Sequence, residues 1–369
     1  MTQHSLTTRL GEYISLVLPD AHGHQQKALT DFVLAVVMVQ SCCQARLARF
    51  FDNFEAASKR LSRLLHNARL ETEALARSHA RALVGRLPAE GCVRLALDWT
   101  IEDSQHLLVA SLNVGRRAVP LYWRGYEDTE LKKRMSLYER EFVRALFAEV
   151  LSGVARRRFV LTADRWFADV DLLDLLNELG ISYVIRTKSS YKVSIEGSWR
   201  RLDSLKWTKN RRRRAWGRIW YTQGDPRHVY LVQARARDKQ GRWGIWHLLS
   251  NRNLSAGAMT NEYALRFTCE EGFRDAKRLL GFAEARINCL TAWIRMFTLV
   301  ALAMAVVTKL GCAIQRHALR DVWLRRVRSR RAARSELSIV RTVVELLTRD
   351  ESFWYLLDHD RKLNLEARL

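Results

Sequence analysis

The chain has 369 residues, 48% of them hydrophobic, enough for a substantial core and for two or three structural units. Lysine and arginine number 62 against 39 acidic residues, a net charge of +23 that predicts a polyanionic partner, nucleic acid ahead of an anionic membrane surface. The six cysteines, at 42, 43, 92, 269, 289 and 312, form no Cys-x-x-Cys pair, which argues against structural zinc or a disulfide framework and for a reducing, cytoplasmic compartment; no basic-then-apolar leader opens the sequence.

Residues 1–88 read as helical. The stretch 28–39 is strongly apolar, and Leu61, Leu64 and Leu65 recur at helical spacing with Arg46, Arg49, Arg60, Arg63 and Arg69 interleaved. This pattern predicts a small DNA-binding region, with a helix-turn-helix around 54–66 that starts near Ser58; a helical docking module is the alternative. Residues 89–186 change character. Strands are expected at 93–98, ending in Asp98, at 106–112, and at 114–122 after a turn at Gly115. A long amphipathic helix follows at 129–151, then a strand at 159–162 leading to Asp164, a helix at 170–179 and a strand at 182–186. Three strands followed by alternating helices and strands predict an α/β fold with a hairpin meander feeding a mixed sheet.

Residues 187–255 read as a β-rich insertion, with strands at 216–221, 229–232 and 244–249. Its composition turns to tryptophan and arginine, and Arg211, Arg212, Arg213 and Arg214 are its most basic point. Arginines among aromatic side chains suit phosphate gripping and base stacking, although a core role is the commoner fate of any single tryptophan. From about 260 to 309 the chain is mostly helical. The uncharged run 296–307 is too short for a membrane span and reads as a buried core helix. Residues 311–369 form a basic helical region, closed by a helix pair over 336–357. The catalytic unit is then 89–310, interrupted by 187–255.

The densest chemistry lies at 263–277. On one helix, Tyr263, Arg266, Glu270 and Lys277 stand at steps of three, four and seven and share a face, with Arg274 one turn beyond Glu270. An acid flanked by cations and a phenol suits a metal-binding carboxylate held beside a phosphate backbone. Asp98 and Asp164 sit at strand ends, where α/β sheets expose their functional edge, and would meet if their strands are neighbours. Three carboxylates make a hard oxygen donor set for a pair of Mg2+ or Mn2+ ions. Arg266 would fork onto a phosphate, Lys277 would meet the next one, and Tyr263 would donate its hydroxyl. Glu271, Glu102, Asp103, Asp169 and Asp171 are competing acids; helical rotation of about 100° per residue favours Glu270 over Glu271.

With these residues the chain resembles DDE transposases of the IS4 group. That family's third-acid helix carries tyrosine, arginine after two intervening residues, glutamate after three more and lysine after six more, matched by Tyr263, Arg266, Glu270 and Lys277. The first-acid segment resembles Leu97-Asp98-Trp99-Thr100, and the second resembles Ala163-Asp164-Arg165-Trp166-Phe167, with Trp166 where glycine is common. The likeness spans about residues 90–310. It implies an RNase H-like core with a β-rich insertion between the second and third acids, and Mg2+ ions, replaceable by Mn2+, on Asp98, Asp164 and Glu270. It implies double-stranded DNA bearing terminal inverted repeats, and target DNA, as partners of a homodimer on the bacterial nucleoid, with no membrane role. The implied reaction hydrolyses one strand at the element end; the exposed 3′-hydroxyl forms a hairpin, which is reopened and joined to target DNA. A tryptophan of the insertion, Trp216, Trp220, Trp243 or Trp246, would hold a flipped base. An RNase H-like DNA nuclease and a non-catalytic DNA-end-binding protein are the alternatives.

Overall fold

The computed structural model describes residues 2–115, 117–207, 212–237, 241–327 and 338–359. Five helices come first: α1 (Thr2–Val17), α2 (Gly23–Val39), α3 (Gln44–Ala48), α4 (Phe54–His66) and α5 (Thr72–Val84). Helix α4 starts at Asn53, whose side chain accepts the Ala56 N–H at 3.0 Å, so Ser58 lies inside the helix and not at its start. Asparagine satisfies an otherwise orphaned amide there, which the serine one turn later cannot do.

A meander follows, β1 (Val93–Glu102), β2 (Gln105–Val114) and β3 (Arg117–Glu127), with Gly115 at φ +62° in the turn. Strand β1 continues four residues past Asp98, because β2 pairs with it as far as Glu102↔Gln105. The single helix expected at 129–151 is instead α6 (Asp128–Leu131) and α7 (Met135–Arg144), with a wider π turn over Ala145–Val150. Lys133, at φ +60°, ends the first piece, since a left-handed residue cannot continue a right-handed helix.

Next come β4 (Phe159–Ala163), α8 (Val170–Glu178) and β5 (Ser182–Thr187), and then β6 (Lys192–Ile195), β7 (Ser198–Arg201), β8 (Arg213–Tyr221), β9 (Arg227–Arg237) and β10 (Trp243–Ser250). The short hairpin of β6 and β7 lies where no strand was expected. The ten strands among the described residues join one sheet in the order β3-β2-β1-β4-β5-β10-β9-β8-β6-β7. The β1–β4 and β4–β5 pairs are parallel, and β10 returns antiparallel to β5. The strands β6 to β10 therefore extend the same sheet outward from β5.

The last helices are α9 (Ala256–Ala264), α10 (Phe267–Arg274), α11 (Leu290–Arg316), α12 (Arg320–Val327), α13 (Ile339–Arg349) and α14 (Glu351–His359). Helix α11 has 27 residues, long and apolar enough to cross a membrane, but 89% of its most apolar window is buried against neighbours that include α2, α13 and β3. A helix apolar all round needs partners all round, and here they come from both ends of the chain. Strand β2 is buried along almost its whole length, as expected of a strand covered on both faces.

Candidate active site

The parallel pairing of β1 with β4 ends at Leu97↔Ala163, so Asp98 and Asp164 are the next residues on neighbouring strands. Adjacent strands lie about 4.8 Å apart, and the two carboxylates feel each other: repulsion from Asp164 is among the influences that raise Asp98. Each acid is steadied by a backbone amide. The Trp99 N–H donates to Asp98 Oδ1 at 3.0 Å, and the Arg165 N–H donates to Asp164 Oδ1 at 2.6 Å.

Helices α9 and α10 bring Glu270. They abut at Leu265 and Arg266, and a π turn over Asp275–Leu279 follows, so 263–277 is not one continuous α-helix. The junction is pinned to β2 by Asn113, whose amide donates to the Leu265 carbonyl at 3.1 Å and to Thr268 Oγ1 at 3.0 Å. Arg94 on β1 holds Glu262 of α9 at 2.7 Å. Gly272 lets α10 lie directly on β3; a Cβ there would stand 2.8 Å from the Ala118 carbonyl oxygen.

Arg266 is the hub. Its Nη1 donates to Asp98 Oδ2 at 2.9 Å and its Nη2 to Glu270 Oε1, joining the first and third acids through one guanidinium that is only 5% exposed. Burial opposes its charge, but Tyr263, Asp98, Asp164 and Glu270 together raise its pKa above the ordinary arginine value. Asp98 is pushed up to about 6, first by burial; Arg266 pulls it down, while Asp164 and Glu270 push it further up.

The residues that flank the acids have partners within the structure. Arg266 is turned inward onto the acids and does not present its fork at the surface, because two carboxylates in a poorly hydrated site demand a counter-charge. The side chain of Tyr263 is fully buried, packed edge-on to Trp246 with ring centroids 5.1 Å apart, and burial raises its hydroxyl to about 12. Lys277 donates to the Ile101 carbonyl at 2.8 Å and pairs with Glu102 at 2.6 Å, tying the π turn to the end of β1. Arg274 is exposed and reaches Glu271 at 3.5 Å. Glu271 points away from the acids and is bonded to Arg117 of β3. Asp169 and Asp171 both bind Arg140, at 3.1 and 2.8 Å.

The donor types fit a hard divalent cation: three carboxylates, two of them at adjacent strand positions, whose mutual repulsion a cation would relieve. In the present arrangement Arg266 supplies the positive charge, and among the described residues no three His, Cys, Asp or Glu side chains stand close enough to hold an ion.

Of the arginine run, Arg211 lies outside the described residues. Arg212 and Arg213 are exposed, and Arg214 stacks over Trp216 at 3.5 Å. The four tryptophans separate by burial. Trp246 is half-buried and packs against Tyr263 and Phe267. Trp216 is half-buried, with its indole N–H donating to Gln233 at 2.8 Å. Trp220, 43% exposed, stacks on His228, and Trp243, 50% exposed, lies under Arg235 and Arg237 at 4.6 and 4.7 Å. Sequence reasoning had not assigned a role to Trp166, two residues after Asp164 and 63% exposed, or to Lys188, whose ammonium lies 3.7 Å from its ring centroid. It also missed Glu139, buried on α7 and accepting the Trp99 indole N–H at 2.8 Å.

Compared with known families, residues 142–306 match the model of the transposase DDE domain. The matched span, a little under half of the chain, contains Asp164, Tyr263, Arg266, Glu270 and Lys277 and is similar to a transposase DDE domain. Asp98 precedes the span and joins the group through the β1–β4 pairing. A comparison with curated proteins finds no match.

Proposed function

We propose that this protein is a transposase of the IS4 type with an RNase H-like catalytic core. It would cleave double-stranded DNA at the terminal inverted repeats of an insertion sequence and transfer the freed 3′-hydroxyl to target DNA, through a hairpin on the element end, as a homodimer holding two ends. The observation that carries the reading is the convergence of Asp98 and Asp164 at matching positions of neighbouring parallel strands, with Glu270 linked to Asp98 through Arg266.

In this reading Asp98, Asp164 and Glu270 hold Mg2+ or Mn2+, which, when bound, lowers the pKa of the attacking hydroxyl and stabilises the leaving oxygen. The protein's own contribution is position and charge. The ordered backbone of β1 and β4 sets two of the acids, and Asn113 and Gly272 seat the helix that carries the third. Arg266 bridges Asp98 and Glu270 and supplies a positive charge between them. Lys277 fixes the rim of the site by its hold on Ile101 and Glu102. The exposed arginines of the extended sheet grip the DNA backbone.

The test is cleavage and joining of labelled duplexes that carry the inverted repeats flanking the reading frame, with Mg2+ or Mn2+, comparing the intact chain with Glu270→Gln. Metal-dependent cleavage and joining, both lost in the variant while end binding persists, is the expected result. Nicking without joining would reduce the assignment to a nuclease. End binding with no cleavage by the intact folded chain would leave a DNA-end-binding protein.

A further inference from the structure

Trp166 is the most exposed large apolar side chain among the described residues, and its position is built. Its neighbour Phe167 is 1% exposed, and the Phe167 N–H closes the turn onto the Asp164 carbonyl at 3.0 Å. The next residue, Ala168, accepts the Tyr221 hydroxyl at 3.0 Å, and the same hydroxyl meets Thr187 Oγ1 at 2.8 Å. Thr187 ends β5 and precedes Lys188. One buried tyrosine from β8 therefore ties together the turn that displays Trp166 and the strand end that displays Lys188. Lys188 Nζ lies over the indole at 3.7 Å. Strands β4 and β5 are parallel neighbours, so this pair occupies the same strand edge as Asp98 and Asp164.

An aromatic ring held in water beside a site of phosphate chemistry, with an ammonium at hand, matches what unpaired nucleotides need: a stacking surface for the base and a cation for the phosphate. A paired base inside a duplex offers no such face. We propose that Trp166 and Lys188 form a docking point for an unpaired DNA nucleotide next to the reacting phosphate, Trp166 stacking on the base and Lys188 meeting the adjoining phosphate. The inference rests on the DNA-processing reading above and adds to it a preference for DNA whose end is unpaired.

Binding without catalysis separates the two. The full chain is titrated, with metal chelated, against a labelled blunt duplex and against the same duplex extended by a short 3′ tail of thymines. The intact chain is expected to favour the tailed duplex. Trp166→Ala should weaken tailed binding by about tenfold and leave blunt-duplex binding and thermal unfolding unchanged. Trp166→Phe should retain most of the preference, and Lys188→Gln and Tyr221→Phe should lose part of it. Equal binding of both duplexes by the intact chain, or a tail preference that survives in folded Trp166→Ala, would overturn the inference and leave the DNA reading standing. No binding of either duplex by the intact folded chain would overturn the DNA reading, and this inference with it.

Discussion

The centre and the outer wing of the one sheet treat arginine in opposite ways. Where β1 and β4 run parallel, Arg266 is buried and spans two carboxylates. On β8 to β10, Arg214, Arg235 and Arg237 lie against tryptophan rings near the surface. The difference is hydration. A charge taken from water has to be met by partners of fixed geometry, and removing one leaves the others stranded. An arginine on an exposed ring keeps most of its water, contributes little to folding and stays available to a phosphate.

The largest effect expected from this contrast is at Arg266. Arg266→Ala should destabilise the fold by about 3–5 kcal/mol, as loss of one partner in a buried ionic group does, read from denaturant midpoints. Arg266→Lys should recover little, because one ammonium cannot span both acids as the fork does. A variant as stable as the intact chain would mean that the centre is as well hydrated as the wing.

Acid tests whether the buried core reaches into the wing. His79, bonded to the Pro120 carbonyl of β3, and His247 of β10, beside Gln233, are both held down to about 4 by burial. The unfolded chain binds these protons from about pH 6.5 downward and the folded chain only near pH 4. Stability is therefore fully present above pH 6.5 and is lost as pH falls toward 4, by up to about 3 kcal/mol for each histidine. His79→Gln and His247→Gln should each flatten the slope; a slope untouched by the β10 variant would confine the buried core to the centre. Glu139, pushed up to about 7 by burial, titrates in the opposite sense: its folded form holds a proton between about pH 4.5 and 7, and Glu139→Gln should stabilise the chain above pH 7.

Gly272→Ala probes how closely the third acid is seated. The added methyl meets the Ala118 carbonyl, and a cost of about 1–3 kcal/mol is expected, together with weaker cleavage as Glu270 moves from Asp98. The smallest folding effect belongs to the wing. Arg235→Ala combined with Arg237→Ala should change stability by no more than about 0.5 kcal/mol, yet lower DNA affinity and reduce its salt dependence by about one unit of slope per lost phosphate contact. Destabilisation comparable to that of Arg266→Ala would erase the distinction between the two regions.

Much of the fold was legible in local pattern. Apolar runs closed by turn residues located the core strands, and the uncharged run at 296–307 marked the buried centre of α11. The hairpin of β6 and β7 escaped because its strands are only four residues long and mostly polar, although Glu196-Gly197, at φ +53° and +78°, is a tight-turn pair. The break at Lys133 escaped because lysine gives no warning of a left-handed backbone. Among the site residues, spacing placed Arg266 and Glu270 on one helical face and turned Glu271 away from it. Spacing could not tell that the face looks inward, because 3.6-residue periodicity is the same whether a stripe meets solvent or buried acids.

The sequence by itself determined the residue types at the site, the local elements that carry them and the excess of positive charge, since these depend on neighbours a few positions apart. Tertiary structure alone decided that β4 lies beside β1 and so sets Asp164 next to Asp98 across 66 positions. It also decided that Arg266 faces the acids, that Tyr263 is core with Trp246 packed half-buried against it, and that Trp166 stands in water. Those outcomes depend on strand order and burial, which arise from contacts between residues far apart in the chain and leave no periodic trace within it.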